Sequence, residues 1–147
     1  MRNALILVAF VAGALVPIQA GLNIQLRKVL GDPVQAAFIS FLVGTLALGV
    51  YSLAARHTWP TFSEMASTPL WLWTGGLMGA AFVTATILVG PKLGAASMTA
   101  FMLMGQLVAS VVLDHYSLVG YPEHPVSWAR LAGVALLALG AWMIKAF

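Results

Sequence analysis

Apolar residues run along this chain in five long stretches, roughly 4 to 23, 33 to 54, 69 to 89, 95 to 113 and 128 to 146, with short polar connections between them. Each stretch reaches the about 20 residues that a helix needs to cross a hydrocarbon core of roughly 30 Å. The pattern therefore predicts an all-α integral membrane protein of five transmembrane helices, organised as a single transmembrane domain over residues 1–147. The connections hold most of the charged and turn-forming residues: Arg27, Lys28 and Asp32 in the first, Arg56, His57 and Glu64 in the second, Lys92 in a very short third. The last connection, His115 to Ser127, contains Pro122, Glu123, His124 and Pro125 and is too short for a separate domain. Asp32 before Pro33 and Thr68 before Pro69 mark helix starts, because an oxygen-bearing side chain caps free N–H groups and proline fits where no donor is needed. Trp71, Trp73, Trp128, Trp142, Tyr51 and Tyr116 fall near predicted ends, where amphipathic rings rest at the headgroup level.

Composition sharpens this picture. The 147 residues are 61% hydrophobic and only 7% charged, against about 25% charged in ordinary soluble domains. Lipid is the medium such a chain is built for. The net charge of +3 arises from seven scattered Lys and Arg against four acids, so it reflects scarce carboxylates rather than a basic patch, and no nucleic-acid partner is expected. Cysteine is absent, which excludes disulfides, thiolate metal sites and a cysteine nucleophile. His57, His115 and His124 lack metal-ligand spacing, and nothing calls for a cofactor. Arg2 before an apolar run, with Ile18-Gln19-Ala20 downstream, loosely resembles a signal peptide, but Ile18 stands where a small residue belongs and four further segments commit the chain to the membrane.

Orientation follows the basic residues near segment ends. Arg2, Arg56 and Arg130 fall on one side and Arg27, Lys28, Lys92 and Lys145 on the other, three against four. So small a bias leaves two readings: one dominant charge fixes a single topology, or the chain inserts both ways. Small residues that permit close helix approach occur as Gly75 with Gly79 and Gly76 with Ala80 on the third segment, and as Gly133 with Gly140 on the fifth. Packing within one subunit and a dimer seam both account for them.

Polar groups within a span are costly and usually face a cavity or another helix. Gln19 and Asn23 share a face of the first helix, just beyond Pro17, whose missing N–H frees the carbonyl of Gly13 and favours a bend. They are candidate substrate-binding residues, with helix-to-helix hydrogen bonding as the alternative. On the fourth helix Gln106, Ser110 and Asp114 recur every four residues, and Met98 and Met102 extend the stripe. Gln106 and Ser110 are further binding candidates. Asp114 is a candidate coupling-ion acceptor, although its place at the helix end suits a solvated or capping carboxylate better. Thr84 and Thr86 are weaker candidates, since threonine satisfies itself on its own backbone. No nucleophile–base grouping, phosphate loop or carboxylate pair at a common depth is present, which argues against an enzyme.

The runs PIQAGLNIQL (17–26), AAFISFLVGTLAL (36–48), WLWTGGLMGAAFV (71–83), PKLGAASMTAFMLMGQLVASVVLDHYSLVG (91–120) and GVALLALG (133–140) resemble the YdcZ-type family, over nearly the whole chain. That family is placed in the drug/metabolite transporter superfamily as inner-membrane exporters, beside the EamA-type carriers and the small multidrug resistance proteins. The resemblance implies a multi-pass inner-membrane transporter of a small molecule. In the small multidrug resistance proteins two glycines seven apart on the last helix mediate dimerisation, and Gly133 with Gly140 reproduce that spacing. Those relatives also carry a membrane-embedded glutamate on the first helix; the nearest equivalent is Gln19, which cannot exchange a proton. The expectation is a half-sized carrier working by alternating access, as an antiparallel homodimer or paired with a homologous membrane subunit. The alternatives are a non-transporting assembly or regulatory subunit and a passive pore.

Overall fold

The computed structural model describes residues 2–147. Six α-helices form in chain order: α1 (Arg2–Leu30), α2 (Pro33–Ala54), α3 (Phe62–Ser67), α4 (Thr74–Leu93), α5 (Ala95–His115) and α6 (Trp128–Ala146), with 3-10 turns at Leu70–Trp73 and Leu118–Gly120. No strand forms among the described residues. Five helical stretches are long and apolar enough to cross a membrane: Asn3–Leu30, Pro33–Ala54, Leu70–Leu93, Ala95–His115 and Trp128–Ala146. Their apolar 18-residue windows bury between 6% and 17% of their residues. So much exposed Leu, Val, Ile and Phe suits helices whose outer faces are solvated by lipid tails.

The first helix runs seven residues past its expected end. Hydropathy falls at Gln25, Arg27 and Lys28, but these residues sustain a helix, and the two cations sit in its last turn, where they favour the negative end of the dipole. Gly31 ends it: at φ +83° its amide bonds the Arg27 carbonyl at 2.8 Å, the left-handed stop that glycine adopts without strain. α1 continues through Pro17. The cap expected at Asp32 forms, with the carboxylate accepting the Gln35 amide at 2.8 Å ahead of Pro33.

The cap expected at Thr68 does not form, because a short helix precedes it. Thr61 and Glu64 make a reciprocal capping box that starts α3. Thr68 closes that helix instead, its hydroxyl donating to the Glu64 carbonyl at 2.8 Å, and Pro69 leads into the Leu70–Trp73 turn. The Thr-x-x-Glu spacing was the signal for this element. The Thr61 backbone N–H, and after it the Thr61 hydroxyl, hold the Glu64 carboxyl below its ordinary pKa.

The chain divides into two compact units, Met1–Gly90 and Pro91–Phe147. In the first, α1 packs along α2, and Ala36 and Ala37 at the start of α2 meet Val83 and Ile87 of α4, with Leu26 and Phe82 alongside. Gly79 of α4 lies where α2 comes close: a Cβ there would stand 3.3 Å from Cζ of Phe41. Packing within the chain thus accounts for that glycine. In the second unit α5 packs along α6.

One tie in the first unit follows from a proline. Pro91 lies inside α4 and has no N–H, so the Ile87 carbonyl four residues earlier loses its helical partner. Ile87 is fully buried, and a buried carbonyl without a partner is costly. The Arg27 guanidinium takes the place of the missing donor, Nη1 reaching the Ile87 oxygen at 3.3 Å.

Two outcomes follow. Arg27→Gln should destabilise the protein by on the order of 1 kcal/mol, and Pro91→Ala, which restores an N–H to the Ile87 carbonyl, should reduce that penalty; a thermodynamic cycle over the two sites by reversible denaturation in micelles reads the coupling. Because the folded pKa of Glu64 is depressed, its stabilisation of α3 is present above the ordinary carboxylate pKa of about 4.3 and is lost as pH falls through the folded value. Exchange of the Thr61 and Glu64 amide protons should therefore show a protection loss on acidification that Glu64→Gln abolishes.

Candidate functional site

The polar side chains singled out on α1 lie in different settings. Gln19 is exposed and lines a cleft of about 240 Å³ in the first unit, with Ser40, Phe41, Gly44, Thr45 and Leu48 of α2 forming the rest of the wall. Asn23, one turn further along, is only 4% exposed, and its Nδ2 has no hydrogen-bond partner. Buried amide donors are rarely left this way. Arg27 continues the same four-residue spacing and is half-buried. In the sequence Arg27 reads as an orientation charge, although its distance of four from Asn23 places it on the same face.

On α5 the stripe does not share one environment. Met98 is buried and Met102 half-buried, whereas Gln106 and Ser110 are exposed. Ser110 and Asp114 line a cleft of about 340 Å³ between α5 and α6, with Leu107, Val111, Arg130, Gly133, Val134 and Leu137. Gln106 does not line it. Asp114 is engaged: its Oδ2 accepts from Nη2 of Arg130 at 2.7 Å. Nη1 of the same guanidinium donates to the His124 carbonyl at 2.7 Å, and the His124 amide returns to the Asp114 carbonyl at 2.9 Å. Val126 N–H donates to Nδ1 of His115 at 3.3 Å. These bonds fasten the connection after α5 to the end of α5 and the start of α6. The Ser127 hydroxyl caps α6 through the Arg130 amide, which sets Arg130 in the first turn, facing Asp114. Arg130 is a second residue that charge counting alone did not single out for a site.

None of Gln19, Asn23, Gln106 or Ser110 takes part in a side-chain hydrogen bond among the described residues. Gln106 stands near the middle of its span, eleven residues from the start of α5. Thr86, by contrast, bonds the Val83 carbonyl at 2.7 Å, the self-satisfaction expected of a helical threonine. Gly133 and Gly140 each leave open space where a Cβ would project, so contacts within the chain do not require either to be glycine.

Five apolar spans with polar side chains set into them define a multi-pass integral membrane protein. Residues 4–143 match the model of a family described as "DMT_YdcZ: Putative inner membrane exporter, YdcZ". The chain belongs to that family, and its place is the inner membrane. The family is one of membrane exporters, transporters rather than enzymes. No curated protein and no solved structure matches the chain.

Replacing Arg130 by Gln should loosen the connection between α5 and α6, and Asp114→Asn should do much the same. Both groups are partly exposed, at 34% and 23%, so each change should cost on the order of 1 kcal/mol or less. The double variant should fall short of the sum of the two. A cysteine placed at Glu123 should label faster in either variant than in the parent.

Proposed function

We propose that this chain is a half-sized carrier that exports a small metabolite by alternating access, working as an antiparallel dimer or paired with a homologous chain. The observation that carries the reading is the set of carboxamides left without partners in the spans, Gln106 at mid-span above all. Lipid offers such a group no hydrogen bond, so a second chain, a water-filled path or a substrate has to supply one. Gln19, Asn23, Gln106 and Ser110 are the groups we assign to substrate contact. Two inverted chains meeting around a midplane site would build the pathway that five helices alone are too few to enclose.

Gly133 and Gly140 are the proposed seam, since open space at both positions leaves room for a partner's backbone to approach. Gly133 also faces the α5–α6 cleft, so a partner there would lie beside Asp114 and Arg130. Asp114 is the weaker nomination for ion coupling. A proton or cation at its carboxylate would compete with Arg130, and coupling through it would require that pair to open.

In vesicles containing the purified chain, Gln19→Ala, Asn23→Ala and Gln106→Ala should each reduce saturable counter-transport at least tenfold without reducing the amount of assembled protein. Loss of assembly along with flux would assign these residues to packing instead. Uptake without saturation or counter-transport would make the chain a passive pore, and unchanged flux in all three variants would remove them from the site. Asp114→Asn should retain exchange while losing its dependence on a pH gradient. Single cysteines introduced at Arg2 and Phe147 should each label from both faces of the membrane if the dimer is built from two copies, and from one face alone if a homologous chain supplies the partner.

A further inference from the structure

We infer that the face of α1 bearing Gln19, Asn23 and Arg27 binds an anion, and that the substrate class is a small carboxylate with a short apolar body. The inference rests on the carrier reading, since it names what that carrier would hold. The three residues are spaced by four, so each sits about 6 Å further along the helix than the last, and all remain within about 80° of one another. Every group they offer in common is a donor: a carboxamide N–H₂ on Gln19 and on Asn23, and the guanidinium of Arg27.

Arg27 carries a permanent charge and forms no ion pair among the described residues. The unit Met1–Gly90 contains two acids, Asp32 and Glu64. Asp32 is occupied in capping α2, and Glu64 in its box with Thr61. The single ion pair among the described residues joins Asp114 to Arg130. One guanidinium nitrogen of Arg27 is held by the Ile87 carbonyl, which anchors the plane and leaves its remaining N–H groups for a bidentate oxyanion.

Asn23 supplies the independent observation. Its Nδ2 is enclosed and unpartnered one turn from that unbalanced charge: the amide calls for an acceptor and the guanidinium for a negative one, and an oxyanion supplies both. A role for Arg27 in membrane orientation explains neither the buried amide nor its alignment with the guanidinium. The cleft beside Gln19 adds the apolar body's place: Phe41 and Leu48 wall it, with the hydroxyl-bearing Ser40 and Thr45 at its sides. This open groove measures about 240 Å³, which is room for a short apolar body. Because Asn23 is enclosed, loading requires α1 to shift against its neighbours, as a carrier's helix does between states.

The test is the thermal midpoint of the purified full chain in detergent, titrated with straight-chain carboxylates from acetate to octanoate and with the matched trio 3-phenylpropionate, 3-phenylpropanamide and 3-phenylpropylamine. A saturable rise with one or more carboxylates, absent with the amide and the amine, is expected from binding to the native state. Arg27→Gln and Asn23→Asp, each compared with its own ligand-free midpoint, should weaken binding at least tenfold. Arg27→Lys, which keeps the charge but loses the fork, should weaken it less. A rise with the amine, a carboxylate response unchanged in Arg27→Gln and Asn23→Asp, or no response to any carboxylate overturns the inference. A rise with phosphatidylglycerol alone would show that Arg27 holds a lipid headgroup, and overturns it too. Flux of the bound probe in vesicles separates this claim from the carrier reading: a carboxylate that binds but is never moved leaves the anion site and removes the carrier, whereas an amine that binds and is moved does the reverse.

Discussion

Inside a bilayer no water satisfies a backbone group that has lost its helical partner, and the first unit of this protein shows how one such group is satisfied. Pro91 removes a donor from α4, and the carbonyl it frees belongs to Ile87, in the middle of the Ala36–Ala37–Val83 cluster. The guanidinium of Arg27 fills the gap. That bond ties the end of α1 to α4 and fixes the position of a charge which no acid in its unit balances. Packing, helix boundaries and the candidate site thus meet at one residue. The alanines at the start of α2 add to the same arrangement, since their small side chains let α4 seat Ile87 without exposure.

The second unit uses the same rule at its edge. Asp114 ends the polar side of α5, and Arg130 enters on the first turn of α6 to meet it. Together with the paired bonds through His124 they hold the proline-containing connection to the ends of both helices. An ion pair at the rim of a membrane protein contributes modestly to stability. Its more important consequence is functional, because a carboxylate in this state is held by a cation of the same chain and would have to exchange that partner in order to couple to an ion.

The five spans were legible in the sequence because a run of about 20 apolar residues has one stable outcome in a bilayer. Boundaries were less so. Hydropathy stops at the first charges, but α1 carries Arg27 and Lys28 in its last turn and ends only at Gly31. The Thr61–Glu64 box was present as a spacing, yet the proline at 69 drew the expected helix start to Thr68. Of the site, the carboxamides were visible as costly residues in apolar runs. The roles of Arg27 and Arg130 were not, since basic residues near span ends ordinarily report orientation, and what distinguishes these two is a carbonyl freed 60 residues after Arg27 in one case and a carboxylate 16 residues before Arg130 in the other. The first can be found only by asking which donor Pro91 withholds.

A site whose donors lack partners within one chain is the central claim, and the number of chains in the particle tests it most directly. Native mass spectrometry of the protein extracted from its membrane should show two chains per particle, either two of this 15.5 kDa chain or one of them with a homologous subunit. A particle of one chain at every protein-to-lipid ratio, still able to carry out saturable counter-transport, would contradict the account.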